Sequence, residues 1–261
     1  MVRENRTKAK LKAGGVTFGA TVGVNDPNVI ELAGALGFDF VTIDCEHDLF
    51  NERDLENTIR AADLHGVTPI VRMQNNPELM LHALNGGAQG ILVARVNSET
   101  DARVVVDAAK FHPEGKRTVF FRSRGANFTL DVAETSPKQW SLDINRETMI
   151  GCLIEEIAGV NNLDEILAIP EIDFIDLGPL DLAHSMGWPD QAEVNGLVDK
   201  IVSDSIKAGK AVSIPATVET LPGLLDKGFR MLTVSPLEYF QFGGAEFLKE
   251  ARAALKSRGI A

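Results

Sequence analysis

Two cysteines, Cys45 and Cys152, are all that the 261 residues contain. Both lie in apolar, β-rich runs, which excludes the disulfide framework of a small secreted protein and points to buried thiols. Basic residues are scarce as well: 26 Lys plus Arg face 37 Asp plus Glu, a formal charge of −11. Repulsion by polyanions argues against a surface that wraps nucleic acid or lies on anionic lipid. Anionic small substrates stay open, because they respond to the local field of a pocket. No apolar run approaches the roughly 18–20 residues of a membrane span, and the basic stretch 1–12 lacks the apolar core of a signal peptide. There is neither a Walker sequence nor a G-x-G-x-x-G after a strand, which disfavours nucleotide chemistry. These absences lead us to expect a soluble cytoplasmic protein with no nucleic-acid or membrane partner.

What is present is a rhythm. Short, nearly continuous apolar runs at 16–22, 40–44, 69–73, 90–96, 151–155, 174–177, 211–215 and 231–234 read as strands covered on both faces, as in a parallel sheet. Between them lie stretches with helical spacing, clearest in Val194, Leu197, Val198, Ile201, Val202 and Ile206, which fall on one stripe. Gly37, Gly66, Gly209 and Gly228 stand where helix C-caps belong, just before strands. Eight evenly paced units in a chain of 28.3 kDa predict an α/β fold, a (β/α)8 TIM barrel forming a single domain over 1–261, in preference to a doubly wound sheet. One interval, 110–150, is irregular. Long insertions in barrels often shape the active-site mouth, so a mouth loop is expected there, with an extra packing helix on the barrel wall as the alternative.

In such a barrel the chemistry collects at the C-terminal strand ends. Strand two ends in Asp44-Cys45-Glu46-His47, strand three in Arg72 and strand five in Glu155-Glu156, and strand six leads into Gly178-Pro179-Leu180-Asp181. Glu155 and Asp181, one β-α-β unit apart, should point into the same space. Two close carboxylates repel unless a proton, an arginine or a cation intervenes. A hard divalent ion such as Mg2+ or Mn2+ is one resolution, and a protonated or arginine-bonded acid is the other. Zinc suits the site less, since three His or Cys ligands are missing.

Histidine is the residue type suited to general acid–base work near neutral pH, and His47 is the one at a strand's C-terminal end, with Asp44 placed to orient its ring. The two could equally form a satisfied structural pair. Arg72 must pair with an anion, either a neighbouring carboxylate or a substrate. His184 reads as a loop histidine. None of the twelve lysines falls at the C-terminal end of a strand, which disfavours a Schiff-base mechanism. The segments Ala216-Thr217-Val218 and Ser235-Pro236-Leu237 lack a glycine-rich phosphate cup.

The stretches FDFVTIDCEH (38–47), PIVR (69–72), GAQGILV (87–93) and GPLDL (178–182) together resemble the HpcH/HpaI family of class II, metal-dependent pyruvate aldolases, of the 4-hydroxy-2-oxo acid type. The likeness runs in order from about residue 15 to 235. It implies a barrel whose last helix is often exchanged between subunits of a homo-oligomer, commonly a hexamer built from dimers. It also implies reversible cleavage of 4-hydroxy-2-oxo acids to pyruvate and an aldehyde through a metal-bound pyruvate enolate, with Mg2+, Mn2+ or Co2+ as the ion. Carried over residue by residue, the metal ligands fall at Glu155 and Asp181 and the acid–base histidine at His47. The enolate-stabilising arginine falls at Arg72, and the substrate-contacting backbone at Gly178 and Leu180.

Four positions depart from the family pattern. Leu153 stands in place of a substrate-touching glutamine, and Asn85 in place of an aspartate at the subunit boundary. Ala183 stands in place of a serine, and Thr118 follows Arg117 where the pattern differs. A related lyase on the same core, such as an acyl-CoA lyase or an oxaloacetate decarboxylase, is a second reading. A barrel that binds metal and a 2-oxo acid without turnover is a third.

Overall fold

The computed structural model describes residues 2–48 and 50–260. Eight parallel strands close on themselves in sequence order: β1 (Thr17–Val22), β2 (Phe40–Asp44), β3 (Thr68–Met73), β4 (Gly90–Val93), β5 (Met149–Ile154), β6 (Phe174–Leu177), β7 (Ala211–Pro215) and β8 (Met231–Val234). Helices alternate with them, and the fold is the (β/α)8 barrel that the apolar rhythm predicts. Gly37, Gly66, Gly209 and Gly228 all take positive φ. Two strand ends differ from the sequence reading. β4 stops at Val93 and not at 96, because Arg95 has a φ of 56°, which extended backbone does not contain. β5 runs from Met149 and ends at Ile154, so Glu155 is the first residue beyond it.

The strands are apolar on both faces because they bury both. Outward residues such as Val41, Ile43, Val71 and Ile91 pack beneath the helices. Inward ones, Phe40, Ile70, Leu92, Met149, Leu153, Phe174 and Met231, fill the barrel interior. Glycine makes room for the two interior phenylalanines. A Cβ on Gly19 would lie 2.3 Å from the Phe40 ring, and one on Gly151 would lie 2.1 Å from the ring of Phe174.

The basic N-terminal stretch forms a short helix, Arg6–Lys12, that closes the barrel at the N-terminal ends of the strands. Thr7 Oγ1 donates to the Asp39 carbonyl at 3.0 Å, and Lys8 Nζ to the Thr148 carbonyl at 2.9 Å. Interval 110–150 corrects the expectation of a mouth loop. It starts after the helix Glu99–Ala109 and leads into β5, so it lies on the closed face, opposite the strand C-termini. There it forms a 3-10 turn (Arg124–Thr129), a short helix (Leu130–Ala133) and the helix Pro137–Glu147. Its own satellite core joins Phe111, Ala126, Val132 and Trp140. Buried Lys110 anchors its base through the carbonyls of Asn145 and Thr148. The last helix, Pro236–Ser257, has no buried residue and exposes Tyr239, Phe240, Phe242 and Phe247.

Interior packing this tight has a direct consequence. Gly151→Ala forces the Phe174 ring out of its place and should cost about 1–3 kcal/mol, read as a lower urea midpoint with an unchanged m-value.

Candidate active site

Asp44 and Arg72 occupy facing positions on the neighbouring strands β2 and β3, so their side chains meet at the open rim of the barrel. Arg72 Nε donates to Asp44 Oδ1 at 2.9 Å, and Nη2 donates to Oδ2, making a two-pronged pair. The backbone N–H groups of Glu46 and His47 also donate to Asp44 Oδ1. Burial alone would raise the Asp44 pKa, but the Arg72 bond and charge, with those two amides, hold it below the usual value. Burial likewise opposes the charge on Arg72, and Asp44 overcomes it, so the guanidinium pKa rises. Asp44 therefore positions Arg72 and pins the turn that carries His47, and does not orient the imidazole as the sequence suggests. The carboxylate nearest that ring is Glu46, with Oε2 3.6 Å from His47 Nε2 and 3.7 Å from Arg72 Nε. His47 itself is 62% exposed, at the rim.

Across the opening stand Glu155, just past β5, and Asp181, in the helix Pro179–Ser185 that follows β6. β5 and β6 are paired neighbours. Arg72, Glu155, Gly178, Leu180 and Asp181 line one cavity of about 290 Å3, so the structure brings these sequence-predicted residues together. Asp44 lies behind Arg72, and His47 sits on the rim outside the lining. Close approach explains the glycine at 178: a Cβ there would fall 2.8 Å from Glu155 Cβ and 3.0 Å from its Oε2. The Gly178 N–H bonds the Ile154 carbonyl. The N–H of Leu180 belongs to the first helical turn, which leaves donors free for a ligand.

The charge balance of this opening is one-sided. Burial pushes the Glu155 carboxyl up to about 7, reinforced by the charges of Glu46 and Asp181 and only partly opposed by the Arg95 amide and Arg72. Glu46 is raised too, by burial first, against the pull of His47 and Arg72. Its buried Oε2 has no hydrogen-bond partner. Among the described residues no group of three or more His, Cys, Asp or Glu is arranged to hold a metal. The pair Glu155 and Asp181 nevertheless fits a hard divalent cation, which commonly takes one or two carboxylates and completes its coordination with substrate and water. The raised Glu155, beside the charge of Asp181, is the strain that such a cation would relieve.

Two members of the site do not stand out in the sequence. Glu46 lies inside the motif 38–47, yet the spacing there favours Asp44 as the partner of the imidazole. Asp176 sits in β6 at an inward position and lines the cavity floor, bonded to the Ser213 hydroxyl. The signal for it is an acid in the otherwise apolar run Phe174–Leu177.

A sequence profile described as HpcH/HpaI aldolase/citrate lyase matches residues 18–233. The chain belongs to this family. Among its relatives, a hydroxypyruvate/pyruvate aldolase of Pseudomonas aeruginosa is 32% identical over 224 residues, covering 83% of this chain and 81% of the relative. A 2-keto-3-deoxy-L-rhamnonate aldolase of Escherichia coli K12 is 29% identical over 216 residues, covering 81% and 79%. The crystal structure of an HpcH/HpaI aldolase from Desulfitobacterium hafniense superposes with a TM-score of 0.86 at 26% identity, covering 94% of this chain and 96% of that one. In this HpcH/HpaI protein no helix among the described residues is long and apolar enough to cross a membrane.

Burial pushes Asp176 up to about 6, against the lowering effects of Ser213, Arg72 and the Leu177 amide. Since its folded pKa exceeds its unfolded one, the unfolded chain loses the proton first as pH rises. Stability should fall between about pH 4 and pH 6 and stay lower above. Asp176→Asn removes this dependence and should gain roughly 1–3 kcal/mol at pH 7.5 relative to pH 4, measured as the difference between urea unfolding of the variant and the parent at the two pH values.

Proposed function

We propose that this protein is a metal-dependent class II aldolase that cleaves 4-hydroxy-2-oxo acids to pyruvate and an aldehyde, and runs the condensation in reverse. The observation that carries this reading is the shared opening. A fixed cation, Arg72, and a carboxylate pair, Glu155 and Asp181, line one cavity, with the His47 imidazole on its rim. Glu155 and Asp181 would hold Mg2+, Mn2+ or Co2+, which supplies Lewis acidity toward the keto and carboxylate oxygens of the substrate. The N–H of Leu180 offers a further donor to the substrate carboxylate, and Gly178 keeps the approach clear.

The chain's own groups then divide the work. His47 takes the proton of the 4-hydroxyl, directly or through a water. As the C3–C4 bond breaks, the aldehyde leaves through the exposed rim and the electron pair passes into the pyruvate half, placing negative charge on the 2-oxo oxygen. Arg72, held still by Asp44, stabilises that enolate. A proton returned to C3 completes pyruvate. The polar partners are thus small 2-oxo acids and aldehydes. The outward aromatic face of Pro236–Ser257 suits cover by a second copy of the chain, in keeping with the homo-oligomer, a hexamer, that the family resemblance implies.

Pyruvate release from a panel of 4-hydroxy-2-oxo acids tests the reading. It should vanish after metal removal, return with Mg2+, Mn2+ or Co2+, and be lost in His47→Ala and Asp181→Ala. No pyruvate with any ion contradicts an aldolase. Arg72→Ala should lower kcat about 100- to 1000-fold, as loss of a preorganised charge partner does, with a much smaller change in pyruvate binding. Equal losses in both contradict an enolate role.

A further inference from the structure

One acid at the catalytic opening has no part in the steps above. Asp176 lies in β6, in register with Leu153 of β5 and Ser213 of β7, and all three line the cavity. Leu92, Phe174 and Met231 share that lining, and an ionised acid beside apolar side chains is costly. The Ser213 hydroxyl donates to Asp176, and Arg72 pulls on it through space. No ion pair involving Asp176 forms among the described residues, since Arg72 reaches Asp44 and Glu46 instead.

The aldolase reading leaves one proton without a carrier, the one that C3 gains once the C3–C4 bond has broken. Arg72 does not release a proton at neutral pH. Glu155 and Asp181 are the carboxylates that would hold the cation. Glu238 lines the cavity from the first turn of the last helix and is exposed. His47, on the rim, takes the 4-hydroxyl proton on the side by which the aldehyde leaves. Asp176 is the remaining ionisable group in the lining, and it meets the substrate from the floor, opposite that exit. Burial sets its proton affinity at about 6, which suits a group that both gives and takes a proton.

We propose that Asp176 is the proton carrier at C3, with Ser213 holding its carboxyl in place. In the cleavage direction protonated Asp176 gives its proton to C3. The enolate double bond supplies the electron pair of the new C–H bond, and the 2-oxo carbonyl re-forms. Asp176, left as a carboxylate, regains a proton from water once pyruvate has gone, and His47 gives up its own to water at the rim. In condensation the Asp176 carboxylate removes a methyl proton of pyruvate. This assignment rests on the aldolase reading and adds to it a step that Arg72, Glu155, Asp181 and His47 do not perform.

Two exchange reactions separate this step from the rest of the chemistry. Loss of the pyruvate methyl signal in D2O, followed by proton NMR, requires proton transfer at C3. Incorporation of isotopically labelled aldehyde into a 4-hydroxy-2-oxo acid requires only that the C3–C4 bond break and re-form. In the metal-loaded Asp176→Asn protein, methyl exchange should fall about 100- to 10,000-fold, as loss of a general acid–base does, with aldehyde exchange little changed. Ser213→Ala, a second and milder variant, should slow methyl exchange to a lesser degree and likewise spare aldehyde exchange. Methyl exchange that persists in Asp176→Asn overturns the proposal. Equal loss of both exchanges also overturns it, and makes Asp176 a structural or binding group. A parent protein that catalyses neither exchange with any ion contradicts the aldolase reading itself.

Discussion

Unbalanced negative charge at one end of a low-dielectric barrel is the constraint around which this molecule is arranged. The charges of Glu46 and Asp181 add to burial in raising the proton affinity of Glu155, Asp181 does the same to Glu46, and the cation at hand, Arg72, is already committed to Asp44. A structural ion pair alone would not call for the surplus acids. A site that receives a cation, and then an anionic substrate, does. The Asp44–Arg72 pair contributes something different. It keeps the guanidinium from collapsing onto Glu155 and Asp181, so that it faces the cavity as a fixed positive charge.

The fold makes that arrangement tolerable by separating functions between the two ends of the barrel. Strand C-termini carry the acids, the arginine and the imidazole. Strand N-termini are sealed by the helix Arg6–Lys12, by Lys8 and Lys110 on backbone carbonyls, and by the insertion that follows Ala109. Between the ends, interior phenylalanines packed over glycines form a rigid floor. Rigidity there matters for catalysis, since electrostatic stabilisation depends on groups that need not reorganise as charge develops.

Much of this is legible in the sequence. Apolar runs broken by Asp44, Arg72, Glu155 and Asp181 mark both the strands and their functional ends, because nothing about stability collects charge on one rim. What stays hidden depends on three-dimensional register. Which acid faces His47 turns on a tight turn in which Asp44 accepts backbone amides and Glu46 swings toward the ring. Asp176 is hard to single out because a four-residue strand does not reveal which face is inward. The insertion at 110–150 lies at the end opposite to the expected one for a topological reason: it follows a helix and not a strand, and every helix-to-strand connection in this barrel returns to the closed face.

The central claim is that the cavity beneath Arg72 stabilises a pyruvate enolate, and it can be examined without knowing the aldehyde. Proton NMR in D2O should show the methyl protons of pyruvate exchanging for deuterium in the metal-loaded protein, with exchange slowed at least about 100-fold in Arg72→Ala. A methyl signal that persists undiminished beside the wild-type protein, while pyruvate demonstrably binds, would contradict the account.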